Sequence, residues 1–244
     1  MARKIESFNF RPGRKVGQRY AIESRLGGGT EGEVYQICEL DTGIQRAAKL
    51  YFPHRDPGQR TSVRLARKLH LLRHCSLVLQ YHHSEYISIR KQKVLALISD
   101  LCAGAPLSAW VAEHPGGRLQ PYLAMHVLYG LVRGLEDIHA LHQYHADVHS
   151  DNILIEPCGV NFDLKLVDFY DWGRSSESKR QQDIVDAVHV FYECLGGRRH
   201  YPRQPEDVKY ICAGLKRSLL LRRFSSITAL RHHLETFTWS ETVS

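Results

Sequence analysis

Tyr144-His145-Ala146-Asp147-Val148-His149-Ser150-Asp151-Asn152-Ile153-Leu154-Ile155, followed shortly by Leu166-Val167-Asp168-Phe169, is the stretch on which the reading of this 244-residue chain turns. Ile153–Ile155 and Leu164–Val167 read as two short strands, so the polar residues beside them fall in loops. Either Asp147 or Asp168 alone is as readily a solvated loop carboxylate or a helix cap. Together with Asn152, in this order and beside paired strands, they point to a site that does chemistry.

Toward the N-terminus, Leu26-Gly27-Gly28-Gly29-Thr30-Glu31-Gly32-Glu33-Val34-Tyr35 sets Gly27, Gly29 and Gly32 in G-x-G-x-x-G spacing. Glycines at a turn let the backbone come close to phosphate oxygens. A dinucleotide-binding version of this pattern requires a helix to follow. Here Glu33–Leu40 reads as a strand, closed by an Asp41-Thr42-Gly43 turn, and Tyr20–Leu26 and Gln45–Tyr51 read as strands on either side. Ala47-Ala48-Lys49 puts an ammonium on the strand after the glycine turn, although a strand lysine by itself is usually just solvated.

Thr61–Arg73 carries Val63, Leu65, Ala66, Leu69 and Leu72 at helical spacing, and Tyr86–Ile89 and Val94–Ile98 read as strands joined through Arg90–Lys93. Beyond Ala103-Gly104-Ala105-Pro106 the periods lengthen. Helices are predicted over Leu107–Glu113, Tyr122–His142, Asp183–Leu195, Pro205–Leu221 and Ser226–Phe237, the last capped by Ser225 or Ser226.

The hydrophobic fraction of 43% and charged fraction of 24% are those of a globular chain with a core to bury. No apolar run approaches the roughly 18 residues that span a bilayer, and Met1–Lys15 is charged where a signal peptide would be apolar, so a cytoplasmic protein is expected. The six cysteines are scattered with no C-x-x-C pair, which argues against a zinc site or a disulfide framework. A net charge of +7 favours an anionic ligand or partner. The basic clusters Arg11–Lys15, Arg64–Lys68 and Lys216, Arg217, Arg222, Arg223 lack interleaved aromatics, so nucleic acid is not expected. The Arg64–Lys68 helix face reads as solvated.

The loop read as H-x-D-x-x-x-x-N followed by D-F resembles the catalytic loop and metal-binding segment of protein kinases. Ile98-Ser99-Asp100-Leu101 looks like that family's hinge with Ser99 as a small gatekeeper, Asp183-Ile184-Val185-Asp186 like the helix that carries a buried aspartate, and Lys209–Leu234 like the closing helices. The resemblance covers nearly the whole chain, in order, and is closest to a minimal bacterial-type serine/threonine protein kinase. It implies an α+β, bilobal fold: one kinase-like domain over 1–244, with an antiparallel five-stranded N-lobe at 15–101 and a mainly helical, shortened C-lobe at 102–244. It also implies ATP and Mg²⁺ as cofactors. By the same resemblance Asp147 accepts the proton of an attacking hydroxyl, Lys49 grips the phosphates, and Asn152 and Asp168 hold the metal. The nucleotide is then contacted by Gly27, Gly28, Gly29, Gly32, Val34, Ala47, Asp100, Cys102 and Leu154. His149 touches the γ-phosphate or packs the loop, and His145 braces it.

Five departures from the family pattern stand out. The first helix has no acid to pair with Lys49, so Asp168, Glu85 or Asp56 is the expected substitute. Asp168-Phe169-Tyr170 replaces D-F-G, implying a fixed loop, with a second D-x-G at Asp171-Trp172-Gly173. Little chain separates Asp168 from Asp183, implying a very short activation segment. Ala146 stands where many kinases carry an arginine that binds a loop phosphate, and His149 stands at the catalytic-loop lysine. His-x-Asp-x-His-x-x-Asn is similar to the loop of aminoglycoside and related phosphotransferases. Three readings follow: a protein serine/threonine kinase, a kinase-fold enzyme acting on a small-molecule hydroxyl, and a nucleotide-binding pseudokinase. The oligomeric state is not legible.

Overall fold

A computed structural model of the protein describes residues 4–55, 60–159, 161–169 and 175–238. The chain divides into two compact units, Met1–His74 with Leu79–Cys102 and Cys75–Val78 with Ala103–Ser244.

The first unit is built on a six-stranded antiparallel sheet in the order β1-β2-β3-β4-β6-β5. Its strands are β1 (Lys15–Val16), β2 (Tyr20–Gly28), β3 (Gly32–Glu39), β4 (Gln45–Tyr51), β5 (Tyr81–Ile89) and β6 (Gln92–Asp100). The sixth strand, beyond the five predicted, is the two-residue β1. Gly17 takes a left-handed φ of 61° and folds Val16 back onto Tyr20. β5 begins five residues before the predicted Tyr86 because its alternating pattern of half-buried and exposed residues extends back to Tyr81. Residues directly opposite one another share a face of an antiparallel sheet. One face carries Tyr35, Ile37, Ala48, Leu50, Ala96 and Ile98, all buried. The N-terminal segment crosses it, and Ile5, Phe8 and Phe10 join this core.

α1 (Arg60–Leu71) packs against β5 and β6. Leu65 and Leu72 are buried as the predicted pattern requires, while Val63 is 39% exposed. Lys68 is buried, not solvated as the sequence suggested, because it lies one helical turn from each of them. Arg64 and Arg67 are exposed.

In the second unit, β7 (Ala105–Pro106), β8 (Ile153–Cys158) and β9 (Asn161–Leu166) make a small antiparallel sheet. The helices are α2 (Leu107–Ala112), α3 (Pro121–Ala140), α4 (Glu177–Cys194), α5 (Gly197–His200), α6 (Glu206–Cys212), α7 (Arg217–Arg223) and α8 (Ile227–Thr236). α4 starts six residues before the predicted Asp183, because Ser176 caps it by accepting the Lys179 N–H. Ser226 caps α8 in the same way through the Ala229 N–H. The single helix predicted over Pro205–Leu221 is two. Ala213, Gly214 and Leu215 all take positive φ, which no right-handed helix continues through.

Candidate active site

In the first unit, strand register assembles one half of the predicted residues. Gly27 pairs with Val34, and Val34 with Lys49. Ala47, two residues back along β4 and on the same face, pairs with Ser99. The glycine turn is closed by the Gly29 N–H donating to the Gly32 carbonyl at 2.9 Å. Gly32 is demanded by backbone: a Cβ there would sit 2.0 Å from the Leu50 carbonyl oxygen, while one at Gly28 would meet the movable end of the Arg25 side chain at 2.5 Å and Gly27 and Gly29 face open space. Glycine at those two positions is therefore not explained by packing, which fits close approach by a ligand.

Lys49 Nζ lies 3.4 Å from Glu31 Oε2, an ion pair formed from within the glycine turn. The sequence reading missed Glu31, looking instead for acids outside the turn. Glu85 does not serve, because it pairs with Ala96 while Lys49 pairs with Leu97, so the pleat turns the two to opposite faces. Asp56 lies outside the described residues, as do Tyr170 and the Asp171-Trp172-Gly173 triplet. At the end of β6 the Asp100 carboxylate is already engaged, by Arg46 at 2.9 Å and His82 at 2.7 Å. Cys102 ends the unit, half-buried.

The second unit assembles the other half. Asp183, with no exposed surface, accepts the backbone N–H of His145 at 2.8 Å and of Ala146 at 2.7 Å, and a third bond joins it to His139 at 3.0 Å. Two consecutive amides pointing at one carboxylate force a sharp bend, which Ala146 supplies with a φ of 74°. The buried His145 has Nε2 2.9 Å from the Val167 carbonyl, which only accepts, and the Asp147 N–H donates to Nδ1 at 3.3 Å. This assigns the Nε2–H tautomer, linking the loop to the strand end that leads into Asp168. Phe169 packs edge-on against the same ring at 4.4 Å.

Asn152 directs its amide nitrogen at the Asp147 carbonyl (3.0 Å) and Oδ2 (3.1 Å). With Nδ2 so used, its Oδ1 is the hard donor of the kind Mg²⁺ takes. The Val167 N–H donates to the Asn152 carbonyl at 2.9 Å, so Asp168 follows directly beside it. Asp168 has a φ of 57°, a conformation uncommon for a non-glycine residue and tolerated best by Asp and Asn. The donor chemistry therefore fits a divalent ion. The Asp147 side chain is 42% exposed and open to a substrate, with His149 Nε2 3.6 Å from its Oδ2. Leu154, half-buried on β8, pairs with Pro106.

β9 is anchored from its own unit: the Leu166 N–H donates to the Leu77 carbonyl at 2.7 Å, and Lys165 Nζ to the Ser76 carbonyl at 2.6 Å. Two of the cysteine thiols, Cys194 and Cys212, are buried in the second unit. Burial pushes Cys194 and Cys212 up to about 12, which leaves them unreactive.

Serine/threonine-protein kinase PkaA of Streptomyces coelicolor is 26% identical over 169 residues, 64% of this chain and 30% of that protein. Cyclin-dependent kinase 15 of Danio rerio is 29% identical over 190 residues, 77% of this chain and 43% of that protein. The chain thus spans less than half the length of these relatives. Among solved structures, the PknI kinase domain of Mycobacterium tuberculosis superposes with a TM-score of 0.66 at 17% identity, covering 93% of this chain and 98% of that one. At that identity the likeness speaks for the fold. The family model for the protein kinase domain matches residues 20–207. That match covers well over half of the chain, which therefore belongs to the protein kinase domain family, a family of ATP-dependent kinases.

Proposed function

We propose that this chain transfers the γ-phosphoryl group of ATP to a serine or threonine hydroxyl of a protein, in the cytoplasm, as one kinase domain with a very short segment after Asp168. The observation that carries the reading is the pair of Asn152 bonds to Asp147, which hold a solvent-open carboxylate in one orientation.

Phosphoryl transfer asks a protein chiefly to position groups and offset charge. Asp147 orients the acceptor hydroxyl and takes its proton as the O–P bond forms. Lys49 binds phosphate oxygens as a point charge, and the glycine turn offers them backbone N–H groups. Asn152 Oδ1 and the Asp168 carboxylate would hold Mg²⁺, which when bound offsets phosphate charge. Gly28, Val34, Ala47, Cys102 and Leu154 are assigned to the nucleotide.

A second reading, transfer to a small-molecule hydroxyl, is favoured by His149 lying 3.6 Å from Asp147 where protein kinases carry a lysine. Radiolabel from γ-labelled ATP, followed into protein, peptides and small-molecule extracts, separates the two. Asp147→Ala is expected to lower transfer by at least about 100-fold while leaving ATP binding intact. Equal transfer by the variant defeats the role of Asp147, and ATP binding without any transfer by the wild type means a pseudokinase.

A further inference from the structure

We propose that Glu31, within the glycine turn, is the carboxylate that positions Lys49, doing the work of the first-helix acid that Arg60–Leu71 does not contain. The inference rests on the nucleotide reading above and names the residue that makes Lys49 competent.

Lysine is a charge on a long stem with several rotatable bonds, and holding phosphate oxygens well requires that stem to be ordered beforehand. Glu31 is built to order it. The Glu31 carbonyl accepts the Phe52 N–H at 2.8 Å, just past the end of β4, and the turn is pinched shut by the bond from Gly29 to Gly32. With no room for a Cβ at Gly32 against the Leu50 carbonyl, the turn and β4 lie backbone to backbone. The same β3–β4 pairing that places Lys49 therefore also delivers Glu31 to it. Both side chains are partly shielded, at 20% and 33% exposure, so solvent screens the pair less than it would on an open surface.

A purely local alternative exists: the carboxylate occupies the place of a phosphate and competes with ATP. The two roles have opposite signs, and comparing ATP with adenosine separates them, since only ATP carries the phosphates that Lys49 would hold. Wild type, Glu31→Gln and Glu31→Asp are titrated with ATP and with adenosine in the presence of Mg²⁺, and thermal midpoints are recorded alongside. The expected result is that Glu31→Gln keeps its adenosine affinity and thermal midpoint, while its preference for ATP over adenosine falls about fivefold. Glu31→Asp should retain part of that preference. An unchanged preference in Glu31→Gln overturns the proposal by reducing the contact to a surface ion pair, and a raised preference overturns it by making Glu31 a competitor. If the wild type binds neither ATP nor adenosine, the nucleotide reading itself falls and takes this inference with it.

Discussion

Asp183 is the residue on which the bend ahead of Asp147 depends. Its carboxylate is fully buried and takes two consecutive backbone amides as well as His139. Truncation leaves those donors without an acceptor, at about 1–3 kcal/mol for each buried group. Asp183→Ala is therefore expected to lose about 3 kcal/mol or more of stability in urea denaturation, with Asp183→Asn losing less because one acceptor oxygen remains. Three residues on, Asp186 has the opposite character. Burial, together with the nearby Asp183 and Asp147 charges, raises its carboxyl to about 6, against the lowering effects of the Gln182 bond and Arg217. A carboxyl raised in the folded state favours folding while protonated, and that contribution is lost as pH rises from about 4 through about 6. Asp186→Asn should accordingly raise the thermal midpoint at pH 7.5, and its advantage over wild type should shrink as the pH is brought down toward 4. An advantage that stays constant with pH would rule out titration of Asp186 as its cause.

The N-terminal segment is the element that most changes the picture of the first unit. Ser7 Oγ and the Phe8 N–H donate to the two oxygens of the Glu33 carboxylate at 2.8 and 3.1 Å, and Tyr35 donates to it at 2.5 Å. Burial by itself would raise the Glu33 carboxyl. The bonds from Tyr35, Ser7 and Phe8, with the Arg25 charge, outweigh burial and hold it below its ordinary value. Burial and the same bond push the Tyr35 hydroxyl up to about 12. Phe8 meanwhile lies between Phe10 and Phe52, at ring distances of 5.5 and 5.2 Å. Phe8→Ala is expected to cost about 3–5 kcal/mol, read from urea denaturation. A loss below about 1 kcal/mol would mean that the segment is merely laid on the sheet.

At the scale of the whole molecule, what was legible in the sequence was what repeats or recurs in order. The glycine turn and the Lys49 strand fall on consecutive short elements, so their register follows once strands are recognised, and the Asp147–Asn152 loop runs directly into a recognisable strand, β8. What was hidden depended on contacts without a period. Ile5, Phe8 and Phe10 follow no sustained strand or helix repeat and stand among charged neighbours, yet they are buried. Glu31 was in plain view inside the quoted glycine stretch. Its meeting with Lys49 depends on how the turn folds back on β4, which spacing does not reveal. The helix break at Ala213–Leu215 did have a signal in Gly214, overridden by the apolar pattern on either side.

The strap over the sheet also bears on how this protein is best handled at the bench. The family match starts at Tyr20, an inviting place to trim the gene for expression. A chain cut there would lose Ile5, Phe8, Phe10 and Val16, stripping the cover from Tyr35, Ile37 and Leu50 and leaving the Glu33 carboxylate without its Ser7 and Phe8 donors. A contiguous apolar sheet face laid bare in this way invites self-association. The start of the family match and the first residue of this buried core are here some fifteen residues apart.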